Sequence, residues 1–302
     1  MKIKDKLEYL KSRIEIFICP EFKANRSYRG LEKKDANFKE PKDLIEKIIW
    51  LQLYSDTTLW SLCADKYAVR KYVEDRVGAS VLNELYGKWD CVDDIDWNKL
   101  PKTFVLKTNN GCGTVIIVRD KDKMDKEKVF KKLREWMHAK YGWSNYQLHY
   151  TRIKPCIVAE KLMINQESPD TSLIDYKLWC FNGKPTFFFV PYDRTSSGFL
   201  ASAFDLNWNN ISDMAFNKQS EHYCGRDLAK PKSFDQMIMI AKELSKDFAE
   251  VRVDFYDING RAVFGEMTFT TGFGYFTNEF YDYLGTKVDL SGIKKKRIAN
   301  RW

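Results

Sequence analysis

Apolar residues along this chain fall at helical spacing over roughly the first hundred positions and then change to strand-like runs. Pro41 opens a segment in which Leu44, Ile45, Ile48 and Ile49 share one face. Val69, Val73 and Val77 recur every fourth residue and predict a helix over 65–77, which Gly78 stops as a C-terminal glycine does. The acidic linker Asp90 to Asp96 follows, and Pro101 starts a different pattern. The predicted division is a mainly helical region over 1–100 and a sheet-rich region over 101–302.

From Thr103 the runs are short and bounded by turn residues. Strands are predicted over 103–107 and 114–118, joined by Thr108-Asn109-Asn110-Gly111-Cys112-Gly113. Val129, Leu133, Trp136 and Met137 form the stripe of a helix, and 156–160 reads as a short buried strand. Residues 174–181 and 186–190 form a hairpin about Asn182-Gly183-Lys184-Pro185. Ser233 and Gln236 have the spacing of a capping box, opening a helix that turns Phe234, Met237, Ile238, Ala241, Leu244, Ser245 and Phe248 inward. No internal repeat or low-complexity stretch interrupts this order.

The last hairpin carries the most chemistry. Val251, Val253 and Phe255 alternate with Arg252, Asp254 and Tyr256, so one face is apolar and the other polar. After Asn259-Gly260, the return strand sets Glu266 and Thr268 on a single face. Register decides whether the acids meet, because a slip of one residue reverses every side chain. A two-residue Asn259-Gly260 loop would pair Asp254 with Gly265. A three-residue loop, Ile258-Asn259-Gly260, returns Asp254 and Glu266 to the same face and is the one predicted. Carboxylates and an arginine so placed suit a magnesium-bound nucleotide, and a surface hairpin with solvated charges is the plain alternative.

Composition narrows the class. The chain has 302 residues, 44% hydrophobic and 15% aromatic, enough for a real core and too apolar for disorder. No apolar run is long enough to span a bilayer, and Met1-Lys2-Ile3-Lys4-Asp5 lacks the features of a signal peptide. Seven cysteines, odd in number and without short paired spacing, argue against a disulfide framework or a zinc site. A cytoplasmic location is expected. The net charge of +8 favours anionic partners. The basic run Lys294-Lys295-Lys296-Arg297 reads as a solvated end, and no nucleic-acid-binding motif accompanies it.

Three further constellations stand out. Lys107 precedes the loop with Gly111 and Gly113, whose amides can approach phosphate oxygens, although such a loop is more often a tight hairpin. Glu160-Lys161-Leu162 leaves a buried strand, where free backbone groups can read a purine edge, or is an ordinary strand exit. Glu167 and Asp170 lie just beyond, in reach of ribose hydroxyls. Asp175 and Lys177 share a face, so Lys177 either reaches phosphate or closes an ion pair.

Together these segments resemble the ATP-grasp superfamily, and within it the TupA-like branch, associated with teichuronopeptide and other cell-surface polysaccharide synthesis. The resemblance runs from about Cys63 to Gly285. Asp65-Lys66, Arg70 and Val77-Gly78 look like the opening helix of many such modules. Phe104-Val105-Leu106-Lys107 with Gly111 and Gly113 is similar to the lysine and glycine-rich loop that cover the phosphates. Glu160-Lys161-Leu162 looks like the adenine hinge. Asp175-Tyr176-Lys177 with Phe181-Asn182-Gly183-Lys184 looks particular to the TupA-like branch. Arg252-Val253-Asp254, Gly265-Glu266-Met267-Thr268 and Thr271-Gly272-Phe273-Gly274 resemble the metal-binding strands and the turn after them. Many relatives carry Asn where this chain has Thr268.

The resemblance implies an α+β, ATP-grasp fold of two sheet-containing lobes with nucleotide between them, preceded by a helical region. It implies ATP and Mg2+, with Asp254, Glu266 and Thr268 as metal ligands. Lys107, Gly111, Gly113, Glu160, Lys161, Leu162, Glu167, Asp175 and Lys177 would bind nucleotide, and Arg252, Lys177 and Lys107 would serve catalysis. The implied activity is carboxylate–amine ligation through an acyl phosphate. An amino acid or amine would join an acidic polysaccharide or its lipid-linked or nucleotide-linked precursor. No nucleic-acid partner or transmembrane segment is expected, and peripheral membrane contact is left open. A glycan kinase, a glycosyltransferase and a non-catalytic glycan-binding protein are the alternatives.

Overall fold

The computed structural model describes residues 3–143, 146–164, 173–194, 198–219, 223, 225–271 and 274–296. Five helices come first: α1 (Ile3–Ile18), α2 (Pro20–Glu32), α3 (Leu44–Tyr54), α4 (Thr58–Ala64) and α5 (Val69–Val77). Strand β1 (Leu85–Trp89) precedes β2 (Phe104–Thr108), β3 (Val115–Val118), helix α6 (Lys126–Met137) and β4 (Ile157–Glu160). Next are β5 (Tyr176–Phe181), β6 (Lys184–Tyr192), β7 (Leu200–Asp205), α7 (Ser212–Ala215) and α8 (Phe234–Ser245). The chain closes with β8 (Glu250–Ile258), β9 (Arg261–Thr268) and α9 (Asn278–Lys287).

The strands form two antiparallel sheets, in the orders β1-β4-β2-β3 and β7-β6-β5-β8-β9. Helix α6 packs Val129, Phe130 and Leu133 against Phe104, Leu106, Val118 and Ile157 of the first sheet. Leu178, Cys180, Phe188, Val251, Val253 and Phe255 turn one face of the second sheet toward Met237, Ala241 and Leu244 of α8. On its other face Trp179, Phe181, Phe187 and Phe189 meet Ile45, Ile48 and Ile49 of α3 and Phe280 and Leu284 of α9. Burial on both faces explains why β5 reads apolar almost throughout.

Several expectations need correction. The N-terminal region is helical, with α1–α5 before residue 78, but β1 also lies before residue 101 and pairs with β4, so the first sheet draws on that region. The helix expected over 65–77 starts at Val69. Asp65 instead turns the chain, accepting from the N–H groups of Tyr67 and Ala68. The capping box does not form. Ser233 Oγ is buried without a partner among the described residues, and Gln236 ties α8 to the hairpin, donating to Gly260 O and accepting from Ala262 N. The β5–β6 turn is Asn182-Gly183 alone, both at positive φ, with Lys184 and Pro185 already in β6.

The decisive register comes out as expected by a different device. The loop between β8 and β9 has two residues, Asn259 (φ 56°) and Gly260 (φ 77°), because Ile258 pairs with Arg261. A bulge then leaves Gly265 unpaired, since Phe255 faces Phe264 whereas Asp254 faces Glu266. The extra residue restores the parity that the even loop removes. A Cβ on Gly265 would stand 3.0 Å from Asp254 O and 3.3 Å from the Tyr256 ring. Gly265→Val is therefore expected to lower stability by about 1–3 kcal/mol through overpacking, measured by thermal unfolding.

Glu250 is a buried carboxyl at the start of β8, with no hydrogen-bond partner for either oxygen among the described residues. Burial pushes its pKa well above the usual carboxylate range. The folded chain then keeps a proton that the unfolded chain releases, so this group makes stability fall as pH rises above the unfolded carboxyl's pKa. Glu250→Gln removes that slope. Its advantage over the wild-type chain is expected to grow from pH 5 to pH 8, by up to about 1.4 kcal/mol per unit. Urea unfolding across that range checks it.

Candidate active site

The polar face of β8 and β9 gathers five side chains. Lys177 of β5 lies opposite Asp254, Asp254 opposite Glu266, and Arg252 opposite Thr268, so the pairing itself places them on one face. Arg252 forks onto Asp254, with Nε 2.6 Å from Oδ1 and Nη2 2.7 Å from Oδ2. The same Nη2 donates to Glu266 Oε1 at 3.2 Å and to Thr268 Oγ1 at 3.1 Å. Three oxygens, from Asp254, Glu266 and Thr268, thus converge on one cationic nitrogen. The guanidinium also lies over the Trp179 ring, 5.3 Å from its centroid.

Lys177 joins this set from β5. It bonds Asp254 and stands 2.6 Å from Asp175, which Arg194 approaches at 3.3 Å. In the structure the Lys177 ammonium is held in buried ion pairs rather than in a surface pair. Burial pushes the Asp254 carboxyl up, but Arg252 and Lys177 together hold it below the usual carboxylate range. Asp175 is raised by burial despite Lys177, and its Oδ1 is buried without a hydrogen-bond partner among the described residues. The two acids of the hairpin differ in access. Asp254 is almost fully buried, whereas the Glu266 side chain is 44% exposed.

The first sheet supplies a second group. Lys107 Nζ is 2.7 Å from Glu160 Oε2, and Arg70 of α5 reaches the other oxygen at 3.3 Å. Register brings this about, since Val105 and Leu85 flank Glu160 on β2 and β1. The loop after β2 is pinned at its base. Asn109 exchanges hydrogen bonds with both backbone groups of Cys156, and Asn110 donates to Trp136 O. Further along, Gly113 takes φ 72° with open space where a Cβ would lie. Lys161 is no free hinge: its N–H donates to Glu84 O at 2.9 Å, and its carbonyl accepts from Asn83 at 2.8 Å. Of the three residues expected to read a purine edge, Leu162 makes no such backbone bond among the described residues. Glu167 and Asp170 lie outside the described residues, as do Gly272 and Phe273.

Lys66, which the sequence offered only within the Asp65-Lys66 helix signature, lies against the loop after β2. It donates to Gly111 O, and its pKa is lowered, first by burial. The charges of Glu266, which raises its pKa, and of Lys107, which lowers it, act on the same ammonium. Tyr256 had been set on the polar face by the alternation of β8, whereas Tyr150 was not singled out. Burial, then the charge of Glu266, raise the Tyr150 phenol, and the charge of Asp175, then burial, raise that of Tyr256. Among the described residues no group of three or more His, Cys, Asp or Glu is arranged to hold a metal ion. Any metal at the hairpin would rest on two carboxylates and a hydroxyl.

With two antiparallel sheets, each carrying a charged cluster, the architecture is of the ATP-grasp class. Residues 46–288, most of the chain, match the family described as TupA-like ATPgrasp, and the chain belongs to that family. Similar solved structures include D-alanine–D-alanine ligase from Bacillus anthracis, at 16% identity and TM-score 0.44, covering 82% of this chain and 70% of that one. The same ligase complexed with ATP gives 14% and 0.42, covering 72% and 57%. The ATP-grasp ligase PsnB complexed with minimal precursor, Mg and ADP gives 10% and 0.41, covering 81% and 66%. The chain thus spans only 57% of the length of the ATP-complexed ligase. No curated protein sequence matches it.

Proposed function

We propose that this chain is an ATP-dependent carboxylate–amine ligase, joining an amino acid or amine to an acidic cell-surface polysaccharide or its precursor. Family membership supports the use of ATP. The observation that carries the reading is the convergence of Asp254, Glu266 and Thr268 on Arg252 Nη2, with Lys66 donating to Gly111 O on the loop after β2. The surplus of eight positive charges suits an acidic acceptor.

The donor set fits magnesium. Its three oxygens are hard ligands that already converge on a cationic atom, so a divalent ion would compete with Arg252 for them. Bound there by Asp254, Glu266 and Thr268, magnesium would neutralise phosphate charge. Lys107, Lys177 and Arg252 supply further positive charge, and the amides about Gly111 and Gly113 cover the phosphates. Glu160 and Leu162 border the purine, and Asp175 offers its spare oxygen to ribose.

In the first step a substrate carboxylate oxygen bonds to the γ-phosphorus of ATP while the bond to ADP breaks, giving an acyl phosphate and ADP. The amine nitrogen then bonds to the acyl carbon, the carbon–oxygen bond to phosphate breaks, and the amine's proton passes to solvent. Such chemistry asks for positioning and charge neutralisation more than for a strong base. A panel of uronic-acid glycans and amines, scored for ATP- and magnesium-dependent phosphate release with hydroxylamine present, tests it. Free phosphate with a trapped hydroxamate is expected. Phosphate retained on a glycan hydroxyl would make the protein a kinase instead.

A further inference from the structure

Helix α1 has two apolar faces, and only one is covered. Ser12 and Ile16 are buried, Ile16 in the same core as Ala24 and Tyr28 of α2. Opposite them Leu7, Leu10, Ile14 and Phe17 recur at intervals of three and four residues, each at least 50% exposed and Phe17 82% exposed. Ile18 and Phe22, at 69% and 63%, carry the patch around the corner at Pro20 onto α2. Six large apolar side chains so grouped exceed the scattered exposure normal for a surface.

Charge at the margins indicates what meets this face. By helical spacing Lys11 borders the stripe on one side and Arg13 on the other, and both are exposed. Arg13 rests against the rings of Tyr9 and Trp143, 5.6 and 5.4 Å from their centroids. Glu15, the nearest acid toward the core, is neutralised by Arg26 at 2.6 Å and Lys23 at 3.3 Å. Residues 1–35 hold ten lysines and arginines against six acidic residues.

We infer that this face docks on an anionic lipid surface. Helix α1 lies in the plane of the interface, Phe17, Ile18 and Phe22 sink among the acyl chains, and Lys11 and Arg13 sit at the level of the phosphates. A second copy fits less well. The seam from Leu7 to Phe17 is shorter than two heptads, and its flanking Lys11 and Arg13 would meet like charge. Contact is superficial, because no described helix is long and apolar enough to cross a membrane.

The test reads binding alone and is independent of the proposed reaction. The 302-residue chain is floated with phosphatidylcholine vesicles with and without phosphatidylglycerol, at low and high salt. Flotation with the anionic vesicles is expected, weakening as salt rises. The Phe17→Glu, Phe22→Glu variant should lose at least about tenfold in partitioning, with its melting temperature unchanged. The Lys11→Glu, Arg13→Glu variant should lose binding to anionic vesicles. Absence of flotation by the wild-type chain, or equal flotation of the variants, would overturn the inference. So would a lipid-free dimer that Phe17→Glu dissolves, which would assign the face to a second copy.

Discussion

Glu266→Gln is expected to lower magnesium-dependent ATP turnover by about 10²–10³-fold while leaving the fold intact. The side chain is 44% exposed, and its bonds to Arg252 and Thr268 survive in part because the amide oxygen still accepts. What the substitution removes is a formal charge at the point where three oxygens meet. Stability should change by less than about 1 kcal/mol, as for a half-exposed ion pair. ADP release and thermal unfolding of the same preparation separate the two effects. A variant that melts far lower, or that turns over ATP at the wild-type rate, would show Glu266 to be a structural residue.

Asp254→Asn is expected to cost both activity and about 3–5 kcal/mol of stability, because it leaves Lys177 and Arg252 buried without the anion between them. The contrast with Glu266 follows from burial, since Asp254 is 2% exposed. Its pH signature is opposite to that of Glu250. The folded pKa of Asp254 is depressed, so its contribution is complete above the unfolded carboxyl's pKa and fades as pH falls through the folded value. The variant should lack that acid-side loss. Urea unfolding at neutral and acid pH measures both terms, and equal midpoints for the two chains would contradict the reading of Arg252, Lys177 and Asp254 as one buried unit.

Much of this was legible because period and burial coincide. The alternation of Val251, Val253 and Phe255 with Arg252 and Asp254 predicted the polar face, and the core packing of those three apolar residues follows it. The loop at Asn259-Gly260 was misread because pairing parity alone was counted, and nothing local distinguished the bulge at Gly265 from an ordinary strand glycine. Strand β1 was hidden by Gly87 and by a run, Leu85-Tyr86-Gly87-Lys88-Trp89, that does not alternate cleanly. Strand β7 is built on Ala201, Ser202 and Ala203, which have little strand preference and are held by neighbours instead. Lys66 reaches the loop after β2 through a tertiary contact, which spacing cannot reveal. The capping box failed for a related reason, since the hairpin offered Gln236 better partners than the helix end did.

Calorimetric titration of the chain with a non-hydrolysable ATP analogue, with and without magnesium, bears most directly on the central claim that residues of both sheets serve one nucleotide site. Saturable, magnesium-enhanced binding that Lys107→Met on one sheet and Glu266→Gln on the other each weaken is the expected result. Binding indifferent to both substitutions, or absent altogether, would contradict it.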